Sequence, residues 1–310
     1  MLIVTGAVAY DYIMDFPGKF SDHILAGQEH TINISFTASK FARRRGGTAG
    51  NASYGLGILH TPHILFTVAG RDFSEYKRAF KKFGIETKHI LIDKKAYTAT
   101  GFAMTDKRDN QIWGFFYGAS DRIKELNLKA VAKKGDLVLL GPGTAAGSMT
   151  FVRQCIEMEL SYMLDPGFLL TEVNDKELKM GIEHASYLIG NDYEVSVFES
   201  RIKNFEDLVK DKTVITTFGR KGALIERDGK KYHIAPVLVK NPQDPTGAGD
   251  AWRAGFLAGL IRNYDLQTCG QMGSVSAAYA VEHYGTQEYK FNKKQFAKRY
   301  KDAYNTEIKL

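Results

Sequence analysis

Six short, almost uniformly apolar runs constrain this 310-residue chain more than any other feature. They fall at 2–7 (LIVTGA), 63–69 (HILFTVA), 136–140 (DLVLL), 161–165 (SYMLD), 186–190 (SYLIG) and 212–217 (KTVITT). Strands with one wet face alternate apolar and polar residues. Runs without that alternation read as strands buried on both faces, the signature of a parallel sheet covered by helices. Helical patterns separate the runs near 49–59, 72–83, 147–159, 174–184 and 191–200. In the second of these Asp72 gives a start signal and Gly84 a stop, with Phe73, Tyr76, Phe80 and Phe83 on one face. The alternation predicts a doubly wound α/β core. Residues 222–235 read as a hairpin turning at Asp228-Gly229, and the chain from 248 onward as almost wholly helical.

Two stretches break the rhythm. Residues 12–44 (with INISFTAS) and 97–118 (with TATGFAM and QIWGFFYG) carry β-type patterns without helices. They predict a second, small antiparallel sheet inserted from two places, leaving 1–11, 45–96 and 119–310 as the core. Such a sheet serves either as a lid over a cleft or as a hairpin packed on the core, and the pattern leaves both open.

Composition narrows the classes. With 44% hydrophobic and 25% charged residues the chain is neither disordered nor fibrous. Cys155 and Cys269 are isolated thiols, which fit a reducing compartment better than a disulfide framework. The N-terminus lacks a basic leader and reads as a strand, and no apolar run approaches a membrane span. The expectation is a soluble, cytoplasmic protein without membrane partners. The Walker loop, HExxH and GxSxG are all absent.

The chemistry concentrates at 244–256, DPTGAGDAWRAGF. Thr246, Gly247, Ala248 and Gly249 are small, and a helix pattern follows at once. Backbone N–H groups at a helix N-terminus bind anions, and missing side chains let a phosphate approach. Asp250 then sits beside that anion hole, able either to take a proton from a hydroxyl or merely to complement the helix dipole. Three other stretches have the same character: RGGTAGN at 45–51, NDYE at 191–194 and TFGRKG at 217–222. Asn191 and Glu194 share a helix face and suit the water shell of Mg²⁺ near a polyphosphate, or a plain helix cap.

In this order, behind a first strand ending in TGAVAYD, the four motifs resemble the ribokinase-like (PfkB) carbohydrate and nucleoside kinases. DFPGKFSDHIL, the INISF run and VEHYGTQEY are similar to the bacterial adenosine kinase branch. The resemblance covers about residues 2–288 and implies a ribokinase-like core with a small β-lid. It also implies ATP- and Mg²⁺-dependent transfer to the 5′-hydroxyl of a nucleoside, adenosine first, in purine salvage. Carried over position by position, Asp11 holds sugar hydroxyls with help from Gly46, Gly47 and Asn51, while Ser35 touches the acceptor from the lid. Asp250 is then the base, and Gly247, Ala248 and Gly249 the anion hole. Thr246, Thr217, Gly219, Gly222 and Asn191 line ATP, and Asn191 and Glu194 serve Mg²⁺ through water. Phe102 and Phe116 on the lid, and Phe168 after Asp165, offer rings for a base. Asp165 joins the acceptor site.

Two other classes compete. A sugar kinase acting on ribose or fructose shares the fold. An NAD-dependent oxidoreductase is more distant: Gly141, Gly143 and Ala146 meet the G-x-G-x-x-G/A fingerprint, and Asp165 stands where a ribose-binding acid belongs. A net charge of +7 raises nucleic-acid binding as a further reading. Residues 289–310, however, carry seven basic side chains around Phe296, Tyr300 and Tyr304 at helical spacing. That pattern is a helix packed on the core with a solvated basic face, so no nucleic-acid partner is expected. The Arg43–Arg45 cluster before RGGTAGN lacks an assigned role. Lid edges invite strand pairing, so a homodimer through the lid is expected.

Overall fold

The computed structural model describes residues 1–23, 35, 37–108 and 110–310, and among these fourteen strands and nine α-helices, numbered in chain order. Six strands run parallel: β1 (Leu2–Thr5), β4 (His63–Leu65), β9 (Leu137–Leu140), β10 (Ser161–Leu164), β11 (Tyr187–Asn191) and β12 (Thr213–Thr217). The hairpin β13 (Ala223–Arg227) and β14 (Lys230–Ile234) extends one edge antiparallel, giving the order β14-β13-β12-β11-β10-β9-β1-β4. Asp228 and Gly229 both take positive φ, as a two-residue turn of this hand requires.

Alternate residues of each strand feed separate cores. Leu2 and Val4 enter one and Ile3 the other; Leu139, Met163 and Ile189 oppose Val138, Tyr162 and Leu188. This is why the runs are apolar throughout. Helices α1 (Thr48–Ile58), α7 (Ala248–Ile261), α8 (Leu266–Val281) and α9 (Lys293–Tyr304) cover the first face. The second is covered by α3 (Ala145–Glu157), α4 (Asp175–His184), α5 (Asp192–Arg201) and α6 (Phe205–Val209). This is a ribokinase-like α/β fold.

Local expectations needed two corrections. The run 63–69 is not one strand: the Thr67 hydroxyl donates to the Gly6 carbonyl and turns the chain off the sheet. Val68–Gly70 (β5) pairs instead with Leu91–Asp93 (β6). Asp72 does not cap α2 (Ser74–Lys81), whose N-cap is Phe73. Its carboxylate accepts from the Thr98 N–H and hydroxyl instead, at 2.8 and 2.7 Å.

A second sheet has the order β3-β2-β7-β8, with β2 (Ala9–Asp15), β3 (Lys40–Gly46), β7 (Ala99–Thr105) and β8 (Gln111–Phe116). It takes in Ala9–Asp11 and Arg45–Gly46, and its β2–β7 pair is parallel. The INISF run falls mostly outside the described residues; Ser35 is described, exposed and in no strand. Helix α9 buries Phe296 and Tyr300, and a reciprocal Asn292–Gln295 capping box opens it. Arg299 meets Glu282 through two 2.7 Å bonds.

Candidate active site

The parallel strands all point their carboxyl ends at one edge, where ligands bind in open α/β sheets. Asn191 ends β11 beside Thr217 at the end of β12, with the two in register. Asp165 follows β10 directly. Over the same edge stands the N-terminus of α7. Gly247 begins it at φ +78°, and a Cβ there would lie 2.8 Å from Thr286. Only glycine meets both conditions. Asp244 ties this turn down by accepting from the Thr246 N–H (2.9 Å) and the Gly285 N–H (3.0 Å). First-turn N–H groups lack intrahelical acceptors, so the turn presents donors at the edge of the kind that bind anions. The Ala248 N–H leans on the Pro245 carbonyl at 3.2 Å.

Asp250 lies in that first turn, half-buried. Its Oδ2 accepts from Asn51 Nδ2 at 2.8 Å, so the side chain turns toward α1. Burial pushes its carboxyl up to about 6, with Asp165 and Glu194 adding to the rise while Arg253 and Asn51 oppose it. Asp11 approaches from β2. Its carboxylate fills the space left by two glycines: a Cβ on Gly46 would lie 2.0 Å from Oδ2, and one on Gly101 2.8 Å from Oδ1. Among the described residues none donates a hydrogen bond to it, and burial followed by the charge of Asp250 pushes it up to about 7. Two poorly solvated carboxylates therefore face one cleft, one held by an amide and one waiting for donors.

Other candidates divide. Gly47 (φ +81°) lets β3 turn into α1, where a Cβ would lie 2.6 Å from the Ala7 carbonyl. Asn191 and Glu194 form a full capping box, each side chain accepting from the other's N–H at 2.8 Å, which leaves one Glu194 oxygen outside the cap. The Thr217 hydroxyl is 3.4 Å from the Gly190 carbonyl. Gly219 has φ +55° with open space where a Cβ would be. Gly222 has a fold-level cause instead, since a Cβ would lie 2.1 Å from the Ile234 carbonyl.

Three assignments are corrected. Asp165 is 2% exposed and joined to Arg253 by Nε–Oδ2 (2.5 Å) and Nη2–Oδ1 (2.7 Å), so its oxygens are spent inside the protein. That also removes the ribose acid of the dinucleotide reading. Phe102 and Phe116 point away from Asp11. Phe102 pairs with Tyr12, stacks on its ring at 5.4 Å, and shares its outer face with Phe116 and Phe41. The rings on the face of Asp11 are Trp113, which leans over Gly101, and Phe115. Phe115 stacks on Trp113 (5.6 Å, 7°) and, across the cleft, on Phe168 of the core (5.7 Å, 4°).

Arg253 had no assigned role, although it follows Asp250 by three residues, one helical turn on the same face. Its Nη1 would lie 2.7 Å from a Cβ on Gly249, so that glycine admits the guanidinium to the first turn of α7. Two arginines of the Arg43–Arg45 cluster are closely paired within the protein. Arg43 lies over the Tyr10 ring and meets Glu75 at 2.6 Å, and Arg45 meets Glu288 at 3.1 Å.

The family model for pfkB carbohydrate kinases matches residues 5–293. A nucleoside kinase of Methanocaldococcus jannaschii is 32% identical over 289 residues, 91% of this chain and 90% of that one. The structure of a nucleoside kinase from Burkholderia thailandensis in complex with inosine superposes with a TM-score of 0.90 at 29% identity, covering all of both chains. The same enzyme in complex with ADP-inosine gives 0.87 at 30% identity, over 100% of this chain and 98% of that one.

Proposed function

The chain belongs to the pfkB family of carbohydrate kinases, and we propose that within it this protein moves the γ-phosphoryl group of ATP to the 5′-hydroxyl of a nucleoside, adenosine in the first place. It is a phosphotransferase with an alcohol group as acceptor. One observation carries the reading: the half-buried, amide-held Asp250 stands in the first turn of α7, facing across the cleft an Asp11 to which none of the described residues donates a hydrogen bond. Vicinal ribose hydroxyls supply the donors Asp11 lacks, which directs the 5′-hydroxyl toward Asp250. Asp250 takes the hydroxyl proton as the oxygen attacks the γ-phosphorus. The bond from that phosphorus to the β–γ bridging oxygen breaks, and ADP leaves. The N–H groups of Gly247 and Gly249, with Arg253 beside them, meet the charge on the transferred group.

Glu194, through its free oxygen, and Asn191 suit a water-held Mg²⁺, whose chemistry when bound is to neutralise phosphate charge. Asn191, Thr217 and Gly219 line the nucleotide. The stacked rings of Trp113, Phe115 and Phe168 favour a nucleoside over a free sugar, because a base offers a flat face and ribose does not. The second sheet, β3-β2-β7-β8, then acts as a lid. Its outer face, with Tyr12, Phe41, Phe102 and Phe116, suits a homodimer.

A coupled ADP-release assay over adenosine, inosine, cytidine, ribose and fructose tests the substrate class. The expected result is a kcat/KM at least about 10-fold higher for one or more nucleosides than for either sugar. A sugar at the top of that order would make this a sugar kinase.

A further inference from the structure

The hydrogen bonds behind Asn51 have a direction, and it starts at a backbone carbonyl. The carbonyl of Gly46 can only accept, so the Tyr76 hydroxyl 2.8 Å away donates to it. The Tyr76 oxygen is then left to accept, and Gln287 Nε2 reaches it at 2.5 Å. The second hydrogen of that Nε2 goes to Asn51 Oδ1 at 2.9 Å. With its oxygen held there, Asn51 must turn Nδ2 the other way, toward Asp250. The Thr286 hydroxyl is 2.8 Å from the same Oδ1, but its single proton is shared with the Arg45 carbonyl at 2.9 Å. Gln287, with two hydrogens, does not depend on a rotating hydroxyl.

Two features show that the direction is imposed. Gln287 Oε1 is buried without a partner, so the orientation gives up one acceptor to keep both donors in place. Reversing the amide would set its oxygen against those of Tyr76 and Asn51. Gly50 also clears the path, since a Cβ on it would lie 2.1 Å from the Tyr76 hydroxyl.

We propose that Gln287, assisted by Thr286, is a positioning residue that fixes the polarity of the Asn51 amide, so that Asp250 always meets a donor on Oδ2 and keeps its other oxygen for the acceptor proton. The proposal rests on the reading of Asp250 as base. The charged and titratable groups facing Asp250 are Arg253 on α7, Asp11 on β2, Asp165 after β10, Glu194 on α5 and Tyr289. Substituting Gln287 alters none of them. Without its donors the amide is free to reverse, and Asn51 Oδ1 facing Asp250 favours the protonated carboxyl. The acid limb of kcat then moves to higher pH.

The test is the pH dependence of kcat, with saturating ATP and adenosine or whichever nucleoside leads the acceptor assay. It compares the parent, Gln287→Met, Gln287→Met with Thr286→Val, and Tyr76→Phe. The double variant is expected to shift the acid limb upward by about one pH unit and Gln287→Met by less, with nucleoside affinity by calorimetry within a few-fold of the parent. Tyr76→Phe removes the acceptor that orients the Gln287 amide, so it should lower the melting temperature and move the limb in the same direction by less than the double variant. If the double variant does not fold, Gln287→Met alone decides by the same sign. A folded, nucleoside-binding variant whose limb overlays the parent's overturns the proposal. An active Asp250→Asn would overturn the base assignment instead, so the two failures are distinct.

Discussion

Asp11 shows at one residue how a poorly solvated carboxyl costs stability. Its carboxyl is displaced upward to about 7 by burial and by Asp250, so the folded chain holds a proton that the unfolded chain releases near pH 4. A group raised on folding favours the fold below its unfolded value and loses that contribution as pH climbs to the folded one. Asp11→Asn should therefore raise the melting temperature at pH 8 and leave it nearly unchanged at pH 4, while weakening nucleoside binding; a melting curve at each pH checks this. Asp250 shows the same displacement with a kinetic reading. A base at about 6 predicts that kcat falls as pH drops through that value, and a flat profile down to pH 5 would exclude it. Asp250 was legible in the sequence because it stands in a run of small residues opening a helix, whereas Asp11, between two tyrosines, was reached only through the family resemblance. The sequence hid Arg253–Asp165 and Gln287–Asn51, whose partners lie 88 and 236 residues apart. Nothing local in a chain records such pairs.

At the scale of elements, the two sheets differ in how much their residue pattern discloses. Strands of the main sheet are buried on both faces, so their existence was plain and their facing did not matter. In the second sheet facing decides which rings share the side of Asp11, and aromatic residues stand on both sides of β8. Phe115 and Phe116 are neighbours in sequence and opposite in orientation, and a one-residue error exchanges cleft for surface. Asp11 could have set the parity, but only with the β2–β7–β8 register known. Phe115→Ala should raise the KM for the nucleoside by about 10-fold, a stacking energy of order 1–3 kcal/mol, whereas Phe102→Ala should leave it unchanged. Steady-state kinetics of the pair decides which face meets the base.

For the molecule as a whole, the excess positive charge proves to be local. The α9 lysines and arginines are solvated or paired with Glu282, Asp302 and Glu307, and the β3 arginines pair with Glu75 and Glu288. The apolar outer face of the second sheet is the larger surface anomaly, with Phe41 and Phe116 more than half exposed. If that face joins two copies, sedimentation gives twice the chain mass, and Phe102→Glu returns it to one; a parent that sediments as a monomer removes the dimer from the account. In the proposed reaction the turn before α7 carries the transfer and Asp250 draws the proton. Turnover and nucleoside affinity of Asp250→Asn, measured on the same preparation, test it most directly. The expected result is a fall in kcat of about 10²–10⁴-fold with the nucleoside still bound within a few-fold of the parent. Substantial turnover by that variant would contradict it.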